Sequence, residues 1–139
     1  MRGLLLDLDN TLIPADHEGP LPDEVLAWAQ GLKAAGVRLA LVTNAWPHRI
    51  RRASRALGVP GIGPVGKPLP LGFWLGLKAL GIKPEEALVV GDQVFTDLLG
   101  ARLAGLRVAL VEPVAQDPLP HTRWLRRFEH LCKERGTTI

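Results

Sequence analysis

Two aspartates, Asp7 and Asp9, close an apolar run that begins at Gly3, and they are the residues of this chain best placed to do chemistry. In an extended chain alternate side chains share a side, so both carboxylates can face one site while Leu6 and Leu8 turn into a core. Paired carboxylates at a strand tip suit a divalent cation. Taken alone they could equally just terminate a strand. Three other segments give them weight: Thr43-Asn44, Gly66-Lys67-Pro68 and Gly91-Asp92 bring a hydroxyl, an amine and a further acid to the ends of other apolar runs.

The elements that must position these groups alternate along the chain. Strands are expected at Gly3 to Leu8, Val37 to Val42, Ala87 to Val90 and Leu106 to Val111, with a short edge strand somewhere in the proline-broken Val59 to Val65. Between them the apolar spacing predicts a helix capped by Asp23 and running to Gly36, one from Pro47 to about Leu57, one from Leu71 to Leu80 stopped by Gly81, and one from roughly Phe95 to Ala104. A closing amphipathic helix is expected from Leu119 to about Arg135. The irregular loop Asn10 to Pro22 carries Asp16, His17 and Glu18 beside the two acids, where a polar loop tip accounts for them. Strand–helix alternation implies a parallel sheet with right-handed crossovers and helices on both faces, an α/β Rossmann-like three-layer sandwich with a central five-stranded sheet. In such sheets ligands sit at the carboxyl ends of the strands, and Asp7, Asp9, Thr43, Lys67 and Asp92 converge there.

Composition bounds the rest. The chain has 139 residues, 47% of them hydrophobic, which fits one domain over 1–139. No apolar run is long enough to span a membrane and no export signal opens the sequence, so a cytoplasmic protein is expected. The single cysteine, Cys132, excludes an internal disulfide or a multi-cysteine zinc site, and His17, His48, His121 and His130 show no metal-ligand spacing. The net charge of +3 is uneven: residues 47 to 58 carry four arginines and no acid, and residues 121 to 139 carry five cations against two acids. Basic helix faces are commonly just solvated, though an anionic partner would also account for them.

In order along the chain, Asp7-Leu8-Asp9-Asn10-Thr11-Leu12, Thr43-Asn44, Lys67-Pro68 and Gly91-Asp92 with Asp97 resemble the four motifs of the haloacid dehalogenase (HAD) superfamily of phosphohydrolases. The resemblance covers about Leu4 to Val111. The segment Gly91 to Asp97 and the absence of room for a cap domain are similar to subfamily IIIA and its phosphatidylglycerophosphate phosphatase-like branch. The resemblance implies a Mg²⁺-dependent phosphomonoester phosphatase. Asp7 would be the nucleophile that becomes an aspartyl-phosphate, and Asp9 the acid and base that also offers its backbone carbonyl to the metal. Asp92 would complete the Mg²⁺ set with Asp7 and Asp9, Asp97 would support it, and Thr43, Asn44 and Lys67 would hold the phosphate. The residue types suit those roles, since phosphoryl transfer needs a nucleophile, charge neutralisation and a proton for the leaving oxygen. The N–H groups of Asn44 and Ala45, at the expected start of a helix, would form a phosphate cradle.

An uncapped site is open, which suits a phosphate on something large unless an oligomer covers it. The branch resemblance implies a lipid head group. On the closing helix Trp124, Leu125, Phe128, Leu131 and Cys132 share one face and Arg123, Arg126, Arg127, His130 and Lys133 the other, so peripheral contact with an anionic membrane at its inner face is one reading, and a solvated terminal helix the other. Three rivals stay open: a small-metabolite phosphatase of the phosphosugar type, a polynucleotide phosphatase using the arginine-rich helix on nucleic acid, and a non-enzymatic phosphate-binding or phospho-acceptor module.

Overall fold

The apolar runs of this chain are too short and too rich in Leu and Val to be anything but buried strands, and they assemble side by side. The computed structural model describes residues 2–9, 11–13, 19–64, 70–91 and 99–110. Five strands, β1 (Gly3–Leu6), β2 (Arg38–Val42), β3 (Gly61–Ile62), β4 (Ala87–Gly91) and β5 (Arg107–Leu110), form one sheet in the order β3-β2-β1-β4-β5. Every pairing is parallel, and Leu6 of β1 stands level with Leu41 of β2 and Val90 of β4. The first strand is therefore central, between β2 and β4.

Helices α1 (Asp23–Ala34), α2 (Pro47–Leu57), α3 (Leu71–Leu80) and α4 (Leu99–Leu103) cover both faces. Strand alternation divides the core in two. Leu4, Leu6 and Leu39 pack with Val25, Trp28 and Leu32 of α1 and Ile50, Ala53 and Leu57 of α2. Leu5, Ala40, Val42 and Val89 pack with Phe73, Leu77 and Leu80 of α3, Ala101 of α4 and Ala104 just after it. The result is a Rossmann-like three-layer α/β fold, and among the described residues no cap domain is inserted between β1 and β2 or between β2 and α3.

Local details differ from the sequence expectation for identifiable reasons. Asp23 is the first helical residue of α1 and not its cap; Pro22 caps it without a side-chain bond, and Asp23 and Glu24 sit instead in the first turn, where negative charge meets the positive end of the helix dipole. β1 stops at Leu6, two residues early, because the Leu8 carbonyl turns to accept the N–H groups of Thr11, Leu12 and Ile13 at 3.3, 3.0 and 3.3 Å. The edge strand shrinks to two residues. Helix α3 ends where expected, because Gly81 takes a left-handed φ of 66° that other residues adopt at a cost. The expected helix from Phe95 is described only from Leu99, and the loop acids 16–18 and the closing helix lie outside the described residues.

Candidate functional site

The parallel register puts the residues after β1 and β2 at one edge of the sheet. Asp7 is the first residue beyond β1; its N–H still donates to the Val90 carbonyl of β4 at 3.0 Å, and the residue is only 8% exposed. A carboxylate held there by its backbone, on the central strand, is both sheltered from water and fixed in position. Asp9, by contrast, is not on a strand. The turn over the Leu8 carbonyl carries it, so strand alternation alone does not place its side chain, while Leu6 and Leu8 are both buried in the core under α1 and α2 as expected.

Asp9 is placed instead by a partner the sequence reading passed over. Arg49, in the first turn of α2, donates from Nη2 to Asp9 Oδ1 at 2.6 Å, and its side chain is only 12% exposed against 32% for Asp9. Such a short charge-assisted bond fixes one carboxylate oxygen and leaves the other for chemistry. Burial pushes the Asp9 carboxyl above its ordinary value of 3.8, and the Arg49 guanidinium pulls it back less strongly. The signal that could have found Arg49 is positional. It lies beside Ile50 and one turn from Ala53, both buried on α2, and that helix begins just past Thr43-Asn44.

Thr43 is 1% exposed, and its Oγ1 accepts the Ala45 N–H at 3.1 Å. The hydroxyl proton is thereby directed away from that bond, which leaves it available to donate to an anion. The same bond corrects the expected cradle: the Ala45 N–H is committed to Thr43, and both Asn44 and Ala45 precede α2, whose first residue is Pro47 and whose cap is Trp46. Asn44 is exposed at the edge. Thus Asp7, Asp9, Thr43 and Asn44 are brought to one rim with Arg49, while Lys67, Asp92 and Asp97 lie outside the described residues. Among the described residues no three of His, Cys, Asp and Glu cluster as a metal set.

Gly63 packs directly behind Thr43. It has a φ of 151°, and a Cβ added there would lie 2.2 Å from the Thr43 carbonyl oxygen and 2.9 Å from Ile50 Cδ1. Backbone cannot give way as a flexible side chain does, so Gly63→Ala is expected to cost about 1–3 kcal/mol of stability. The denaturant midpoint checks this; an unchanged midpoint would remove Gly63 as a support of this site.

A sequence model described as a haloacid dehalogenase-like hydrolase matches residues 11–105. The probable phosphatase YqeG of Bacillus subtilis is 33% identical over 129 residues, 93% of this chain and 74% of that protein. A phosphoserine phosphatase of Thermus thermophilus is 37% identical over 102 residues, 67% of this chain but 41% of that enzyme, so the chain spans well under half of this second relative. Among solved structures, a Thermotoga maritima protein described as a candidate beta-phosphoglucomutase matches 96% of this chain and 99% of its own with a TM-score of 0.72 at 15% identity, a likeness of fold.

Proposed function

Because the chain belongs to the haloacid dehalogenase-like hydrolases and is a phosphatase of that family, we propose that it hydrolyses phosphomonoesters through a phosphoenzyme on Asp7, with Asp9 as the proton donor and acceptor. The observation that carries this reading is the 2.6 Å bond by which Arg49 holds one oxygen of Asp9 at the same rim as the sheltered Asp7. Asp7 attacks phosphorus as the ester bond breaks, and the leaving oxygen takes its proton from Asp9. Asp9 then removes a proton from water, which attacks the aspartyl-phosphate, releases inorganic phosphate and regenerates Asp7. A carboxyl whose proton affinity is raised by burial suits the first of these duties better than an ordinary aspartate.

The remaining groups hold the phosphate. The Thr43 hydroxyl, with its oxygen already accepting from Ala45, donates to a phosphoryl oxygen, joined by Asn44 and by Lys67, whose charge offsets the crowding of anions. The donors at this rim suit Mg²⁺: the Asp7 carboxylate and the Asp9 carbonyl are hard oxygens, and with its side chain engaged by Arg49, Asp9 offers the metal its backbone. Asp92 would complete the set and Asp97 would support it. When bound, Mg²⁺ supplies neutralisation of the phosphoryl oxygens.

Among the described residues no cap is inserted between the motif-bearing strands, and a phosphate carried on a large group, a lipid head group included, fits an uncapped site. No helix among the described residues is long and apolar enough to cross a membrane. The test is multiple turnover of an aryl phosphate. We expect many product molecules per enzyme with Mg²⁺, a loss of about 100-fold or more after chelation and recovery on adding the metal back. A single stoichiometric release of product would leave only a phospho-acceptor module, and turnover indifferent to chelator would remove Mg²⁺ from the proposal.

A further inference from the structure

A single exposed apolar side chain is ordinary, but Trp46 joins exposure to a position that favours a different residue type. It is the most exposed large apolar side chain among the described residues, at 73%. It also caps α2, where a short polar side chain that accepts from the first helical N–H groups is preferred, and it makes no such bond. The position therefore forgoes capping stabilisation and leaves an indole in water. Its backbone, in contrast, is pinned. The Trp46 carbonyl accepts the N–H groups of Arg49 and Ile50 at 3.0 and 3.1 Å, and the Ala45 N–H on its other side is held by Thr43. Pro47 confines the residue before it to extended backbone, and Trp46 has φ −61° and ψ 145°.

This pinned indole stands beside the chemistry. Trp46 lies three residues beyond Thr43 and three before Arg49, so its Cα is at most about 11 Å from either. An aromatic side chain on a fixed backbone offers contact area with little left to order on binding. Its chain neighbours Ala45 and Pro47 bring no polar side chain that could bond the hydroxyls of a polyol. We propose that Trp46 is a specificity-determining residue, whose indole receives the leaving group and selects phosphate esters carrying an aromatic ring a few bonds from the scissile oxygen. The ring packs against the indole, offset or edge to face, while Thr43 holds a phosphoryl oxygen at the other end of the molecule. This rests on the reading of Asp7 and Asp9 as the phosphoryl-transfer pair.

Three soluble esters of primary alcohols test it: 2-phenylethyl phosphate, glycerol 3-phosphate, and butyl phosphate, which is apolar but has no ring. Affinities are measured by calorimetry in Asp7→Asn with Mg²⁺ present, where nothing is consumed, and kcat/KM in the protein with Asp7 intact. The phenylethyl ester should bind about fivefold tighter or better than the other two, the factor an aromatic pair carries. Adding Trp46→Asn should bring that preference below about twofold, and Trp46→Phe should keep most of it. The denaturant midpoint of Trp46→Asn should rise, because the amide caps the helix that the indole leaves uncapped. Equal affinities for the phenylethyl and glycerol esters, or a preference that survives Trp46→Asn, would overturn the assignment. A butyl ester as tight as the phenylethyl one would overturn the choice of a ring, and a midpoint that falls with the preference would make Trp46 a structural residue. Failure of the Asp7–Asp9 mechanism shows separately, as absent turnover on all three esters, because the binding arm needs none.

Discussion

Asp7→Asn is expected to lower kcat by about 10⁴-fold or more and to leave no phosphoenzyme on mixing with labelled substrate. The amide has nearly the shape of the acid but no charge and little nucleophilicity, so the loss falls on the covalent step. The fold should be kept, because the Asp7 backbone N–H bonded to the Val90 carbonyl is the same in the amide. The expected signature is therefore an inactive protein that still melts cooperatively. Rapid-quench labelling and a thermal melt read the two halves. A variant that retains a few per cent of turnover, or that forms a stable phosphoenzyme, would take the nucleophile away from Asp7; a variant that has lost both activity and fold would show that Asp7 acts as a structural group.

The sheet was legible because its strands are written as continuous Leu and Val runs, Leu4 to Leu6, Leu39 to Val42 and Ala87 to Val90, each ending abruptly in polar residues. That pattern predicts both burial on two faces and the end of the sheet at which Asp7 and Thr43 follow their neighbouring strands, and both hold. Local hydrogen bonding was harder to read. Whether a strand continues two residues further depends on which carbonyl captures which N–H, and the triple acceptance at the Leu8 carbonyl leaves no periodic trace in a sequence of leucines and acids. The commitment of the Ala45 N–H to Thr43 is invisible for the same reason. Arg49 illustrates a third limit. A helix carrying four arginines reads as a solvated basic face, and only the packing of α2 against β3 and α1 selects one of them to turn inward onto Asp9.

That inward turn makes the proton chemistry of Asp9 testable. Asp9→Asn should slow turnover by about 10²–10⁴-fold on an alkyl phosphate, whose leaving oxygen needs a proton. A nitrophenyl ester leaves without that help, so the variant should release one equivalent of nitrophenol per enzyme in a burst and then stall, because the aspartyl-phosphate now lacks its base. Equal losses on both esters with no burst would remove Asp9 from proton transfer. The pH dependence follows from the two opposing influences on this carboxyl, burial raising its proton affinity and Arg49 lowering it by less. For the alkyl ester, kcat falls as pH rises through the folded-state pKa of Asp9, and Arg49→Gln, by removing the lowering influence, should move that fall to higher pH. The stability linkage has a definite sign as well. A carboxyl with a raised folded pKa contributes stability that is fully present below its unfolded value of about 3.8 and is lost as pH rises through the folded value. Between those limits the wild-type midpoint in denaturant should decline with pH, and in Asp9→Asn this decline should disappear. An alkaline limb that Arg49→Gln leaves in place or moves to lower pH would show that another group governs it, and Arg49 would then keep only its role in holding the Asp9 carboxylate in place.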